Sequence, residues 1–107
     1  MHEATAANAS LIAARAVSSQ EFKFAATELI ASIDEAKVRD EQIATADRLY
    51  RDNLQRFERG LITVNELSLD EHCVREAELA AIATWQRVHQ ELFHLAELAG
   101  QSVLPIL

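Results

Sequence analysis

Glu91 and His94 stand three residues apart, so on a helix their side chains share one face. Glu-x-x-His is half of the donor pattern of di-iron carboxylate bundles. Such a centre needs a second Glu-x-x-His and two further inward Glu residues. Leu69 stands three residues before His72, so the second half is missing. No metal and no cofactor is therefore expected, and His89 and His94 read as residues of a polar or partly buried helix face. Cys73 beside His72 suggests a thiol–imidazole pair, but a nucleophile needs its base within hydrogen-bond reach. Adjacent helix residues point in different directions, so Cys73 reads as a small packed residue next to Val74. Trp85 reads as a packing residue rather than a ligand platform. Asp34-Glu35 and Asp40-Glu41 read as a solvated acidic face. No catalytic constellation is left, and the chain is not expected to be an enzyme.

The 107 residues include 17 acidic and 10 basic side chains, a formal charge of −7. An acidic chain lacks the basic footprint that nucleic acid requires, so no nucleic-acid partner is expected. The single cysteine excludes an intrachain disulfide. No apolar run is long enough for a membrane-spanning helix. Residues 1–17 lack the basic start and continuous apolar core of a signal peptide. Work outside the cytoplasm would thus need an export signal on a part beyond this sequence. Two glycines and one proline leave little turn chemistry for a multi-stranded fold. Ala, Leu, Glu, Arg and Gln dominate, and all favour helix.

The position that organises these helix formers is Gly60, the only glycine before Gly100. Glycine just past a last turn supplies the left-handed residue that ends a helix. Thr63-Val64-Asn65-Glu66 follows at once, a capping box that starts another. The sequence predicts an all-α fold in one domain, a long antiparallel, coiled-coil-like hairpin. Helix 1 is expected over 19–59, a tip turn over 60–63 and helix 2 over 64–99. An N-terminal extension over 1–18, partly helical and frayed at its start, and a tail over 100–107 flank them. Ser18-Ser19-Gln20-Glu21 is a second capping box, which either begins a helix or falls inside a longer one. Gly100 and Pro105 mark the stop.

Heptad spacing supports this organisation. One seam of helix 1 reads Leu29, Ala36, Ile43, Tyr50, Phe57. The other reads Ile33, Asp40, Asp47, Leu54, Leu61, with the two aspartates breaking it, unless the stripe rotates there onto Ala44, Ala46 and Leu49. Helix 2 has the seam Leu67, Val74, Ala81, Val88, Leu95. Folding at Gly60 puts residues whose numbers sum to about 123 opposite each other, with Leu98 near Phe22 and Phe24. Arg48, Arg51, Arg56 and Arg59 then approach Glu66, Asp70, Glu71, Glu76 and Glu78. A second apolar set, Leu79, Ile82, Trp85 and Leu92, lies beside the helix 2 seam and needs a further neighbour. Self-association through these four residues is expected, most simply as a dimer closing a four-helix bundle. At the tip, Gly60, Leu61, Ile62 and Thr63 form a turn too short to hide its apolar pair, which makes it a candidate protein-contact surface.

Tyr50-x6-Phe57-x2-Gly60-Leu61-Ile62-Thr63-x2-Glu66-Leu67 resembles the tip signature of TolC-like outer membrane factors. Arg75-Glu76-Ala77-Glu78-Leu79 is similar to the family's Ala-Glu-Leu stretch. Leu92-x2-Leu95-x2-Leu98-Ala99-Gly100 is similar to its Leu-rich, Gly-terminated end. The resemblance covers roughly residues 28–100. It implies a periplasmic helical hairpin of a trimeric outer membrane channel that serves tripartite efflux or type I secretion. It also implies a tip, residues 60–63, that contacts the periplasmic adaptor protein. A full family member carries two such hairpins and barrel strands, whereas this sequence has one hairpin and no alternating strand pattern. The alternative from the residues alone is a free-standing helical-hairpin interaction module. A neighbouring adaptor or pump gene would discriminate between the two.

Overall fold

The computed structural model describes residues 2–103, and the surroundings of side chains 5–100. The fold is an all-α hairpin of two helices, α1 (His2–Glu58) and α2 (Val64–Val103), with no strand among the described residues. No helix among them is long and apolar enough to cross a membrane.

Both outer boundaries differ from expectation. α1 starts at His2 rather than at 19, so the 1–18 stretch is helix and Ser18 lies inside it. The Ala-rich composition explains this, because nothing before Gly60 interrupts helix propagation. α2 runs through Gly100 to Val103. A glycine inside a helix costs only about 1 kcal/mol relative to Ala, and Gly100 has no positive φ to end the helix. Pro105 lies outside the described residues.

The chain divides into two compact units. One contains residues 32–88, the arms either side of the tip. Here Ala36, Ala81 and Val88 are buried, together with Ser32 and Thr84. Ile43, Tyr50, Leu67 and Val74 are half-buried. Three side-chain pairs fix the antiparallel register: Asn53 donates to Asp70, Arg87 pairs with Glu35, and Trp85 donates to Asp40. Their numbers sum to 123, 122 and 125, as folding at Gly60 requires. Thr84 is tolerated in the core because its hydroxyl donates 2.9 Å to the Ala80 carbonyl of the preceding turn.

The second seam of α1 is covered only in part. Ile33, Asp47 and Leu54 are only half-buried and Asp40 and Leu61 are exposed. The neighbouring row is covered to a similar degree: Ser32 is buried, and Arg39, Ala46 and Asn53 are half-buried like Ile33, Asp47 and Leu54. No rotation onto Ala44 and Leu49 occurs, since both are exposed. The arginines near the tip also do not cross the hairpin as expected. Arg51 pairs with Asp47 at 3.0 Å, Arg56 donates to Asn53, and Glu71 pairs with Arg75 at 2.9 Å, each within its own helix. Partners four residues apart on one helix meet at less conformational cost than long side chains reaching across it.

The other unit contains the described residues up to 31 and from 89. Ala25 and Leu29 are buried, and Leu95, Leu98 and Ala99 are half-buried. Phe22 and Phe24, expected near Leu98, are 39% and 66% exposed.

Candidate functional site at the hairpin tip

The tip is built by two interlocking caps. Gly60 has φ +74°, and the Gly60 N–H donates 2.9 Å to the Phe57 carbonyl. The Leu61 N–H donates 2.8 Å to the Arg56 carbonyl. These two bonds are a Schellman motif with glycine at the left-handed position. On the far side the Glu66 N–H donates 3.2 Å to Thr63 Oγ1, and the Thr63 N–H donates 3.3 Å to Glu66 Oε2. Both halves of the expected capping box are therefore made. The Leu67 N–H to Thr63 carbonyl bond, 3.1 Å, opens α2.

The caps give Leu61 and Ile62 different surroundings. In a Schellman motif the residue after the glycine often packs on the side chain three from the helix end. That position is Arg56 here, and Leu61 is 68% exposed. Ile62 precedes the capping threonine and Leu67 follows it by four, the two positions of a hydrophobic staple. Both are half-buried. Leu61 is thus the presented residue, and Ile62 belongs partly to the fold. Sequence reading missed three other exposed apolar residues of the tip region: Phe57 (37%), Val64 (60%) and Leu69 (66%). Phe57 had been given to a seam that runs out of opposing helix at the turn. Val64 and Leu69 fall just off the Leu67 seam.

Gly60→Ala is expected to cost about 1 kcal/mol, because a Cβ strains positive φ although nothing lies within 4 Å to clash with it. Thr63→Ala is expected to cost about 0.5–2 kcal/mol through the lost cap. Urea unfolding of each variant measures both, and a neutral result at either position would contradict the cap geometry.

The remaining candidates stand apart. No group of three or more metal-binding side chains occurs among the described residues. His89 and His94 are exposed and Glu91 is half-buried, with its Oε2 buried and without a hydrogen-bond partner. Cys73 is exposed rather than packed, because its position points away from the Val74 seam. His72 Nε2 lies 3.0 Å from Glu76, not against the thiol. Asp34 and Glu41 are exposed as expected. Glu35 and Asp40 instead engage α2 through Arg87 and Trp85. Of the four residues expected to self-associate, Leu79, Ile82 and Leu92 are 65%, 55% and 51% exposed. Trp85 is half-buried, its indole Nε1 3.2 and 3.3 Å from the two Asp40 carboxylate oxygens, so it faces α1. No family model, curated protein or solved structure matches the chain.

Proposed function

We propose that this chain is a periplasmic helical hairpin of a TolC-like outer membrane channel component of a tripartite efflux or type I secretion system. Its tip contacts the periplasmic adaptor protein. The observation that carries the reading is Leu61, 68% exposed on a turn held by a Schellman motif on one side and a capping box on the other. A rigid, doubly capped turn presents an apolar side chain without having to order it on binding, which lowers the entropic cost of docking. Phe57 and Val64 extend that apolar surface. The exposed Leu79, Ile82 and Leu92 of α2 support a homo-oligomeric wall in which neighbouring hairpins cover them.

Leu61→Asp is the test, in the full-length protein. It adds charge at an exposed position, so the hairpin should unfold at an unchanged urea concentration while assembly with the adaptor and tolerance to exported drugs or metals fall. Ile62→Asp combined with it should deepen the loss and also weaken the staple. Wild-type assembly and tolerance in the double variant would make the tip a turn and nothing more.

A further inference from the structure

We propose that two copies of this chain stack antiparallel through the hairpin face that carries Glu35 and Arg87, about a two-fold axis crossing the arms at Ala46 and Ala77. Every residue of this surface lies within the unit of residues 32–88. The Arg87–Glu35 pair shows that these two side chains emerge on one face of the hairpin. Seven residues are close to two helical turns, so positions seven apart leave a helix in nearly the same direction. Glu35 therefore shares its direction with Gln42, Leu49 and Arg56, and Arg87 shares its own with Ala80, Cys73 and Glu66. Gln42, Arg56 and Cys73 are exposed, and Leu49 is 52% exposed. Between the two rows lie Ala46 and Ala77, both half-buried, and Thr84. Small side chains on this floor let a second pair of helices come near. Val38 and Leu69, 49% and 66% exposed, border it on the outer edges.

Charge assigns the face to a second copy. In chain order each row begins with glutamate and ends with arginine. The four corners, Glu35, Arg56, Glu66 and Arg87, thus alternate in sign round a rectangle. Turned end over end, one copy sets its Arg56 against the partner's Glu35 and its Glu66 against the partner's Arg87. That is the self-complementarity a two-fold interface demands. Opposing numbers sum to 91 on α1 and to 153 on α2. One axis serves both rows, because Glu35 with Arg87 and Arg56 with Glu66 both sum to 122 and so lie level within the hairpin. Arg39 and Asp52 flank the first row and also sum to 91, which adds a further pair of opposite sign. Copies stacked in the same direction would instead set Asp52 near the partner's Asp70, so the charges select the antiparallel arrangement. Leu69 then meets the partner's Ala83 and Thr84, a large residue against two small ones. Within its own chain Arg56 donates to Asn53 Oδ1, at 3.4 Å, and has no carboxylate partner among the described residues. Glu66 uses Oε2 for the Thr63 cap and keeps Oε1 for a partner. Trp85 stands two residues from Arg87 and faces the other side, together with Ile82 three residues before it. The inference is therefore independent of that surface, of the tip contact and of the adaptor.

The experiment uses the 107-residue chain at tens of micromolar. Sedimentation equilibrium should give a dimer. Asp52→Arg combined with Arg56→Glu keeps the net charge of −7 and keeps opposite charges four residues apart on α1. Across the interface it sets like against like, so it should weaken the dimer about tenfold or more while circular dichroism retains the hairpin. In a Cys73→Ser background, Thr45→Cys should form an interchain disulfide on mild oxidation, because position 45 lies beside the axis. Gln55→Cys, exposed on the outward side of α1, should not. The disulfide result stands even where the charge exchange loses helix. A monomeric wild type, a dimer indifferent to the charge exchange, or cross-linking at position 45 no faster than at 55 would each overturn the pairing.

Discussion

Ala36→Asp is expected to lower the melting temperature by on the order of 15 °C, corresponding to about 3 kcal/mol or more in a chain of this size. Ala36 has no exposed surface at all. It lies in the unit that also buries Ser32, Ala81, Thr84 and Val88, where two helices approach over small side chains. A carboxylate there cannot reach water without separating the arms, and a buried charge without a partner is among the costliest substitutions. Val38→Asp is the control. Val38 lies two residues away on the same helix and is 49% exposed, so its replacement should stay within ~0.5 kcal/mol of wild type. Equal stability of the two variants would mean that the seam through position 36 is not the packed one.

That contrast also explains what the sequence could tell. Leu29, Ala36, Ile43 and Tyr50 were legible as a seam because their spacing repeats every seven residues. The seam of α2 was legible for the same reason, through Ala81 and Val88. What misled was apolar character. The companion seam of α1 was expected through Ile33 and Leu54, the larger side chains. Both are half-buried, but so are Ala46 and Asn53 in the next row, and Ser32 there is buried. Small residues allow close approach, and a hydroxyl can be satisfied within its own helix, as Thr84 shows. Close packing through small residues leaves larger neighbours such as Ile30 and Val38 outside, which a count of apolar residues does not foresee.

The tip was more legible than the arms because its signals are stereochemical. Positive φ favours glycine, and a capping box needs a hydroxyl and a carboxylate three residues apart. Gly60, Thr63 and Glu66 meet those demands, and the structure places each as expected. The difference between Leu61 and Ile62 was not legible. It depends on which of two adjacent apolar residues falls before the cap and which falls after the glycine. The start of α1 was misread for the opposite reason. Ser18-Ser19-Gln20-Glu21 satisfies the capping pattern in sequence, but a cap requires a chain that enters from a non-helical residue. Ala-rich residues upstream keep the chain helical there.

Trp85→Ala is expected to cost about 2–3 kcal/mol, below the usual 3–5 for a large aromatic in a core because the indole is half-buried. Its sequence neighbours Leu79 and Ile82 suggest an outward, intermolecular role. Its geometry gives the reverse, since Nε1 donates to both oxygens of Asp40 on the opposite arm. Trp85→Phe keeps most of the packing and removes the donor, so it should cost about 1 kcal/mol. Asp40→Ala removes the acceptor from an exposed position and should cost no more than that, because an exposed charged partner is screened by solvent. A double-mutant cycle on Trp85→Phe and Asp40→Ala should return a coupling of roughly 0.5–1 kcal/mol, as expected for groups in contact. Sedimentation separates the two roles. A residue that ties the arms together changes the unfolding midpoint and leaves the association constant of the folded chain alone. If Trp85→Ala weakened association while stability stayed within ~0.5 kcal/mol of wild type, the indole would belong to a surface between chains, and its bond to Asp40 would not be what sets the register.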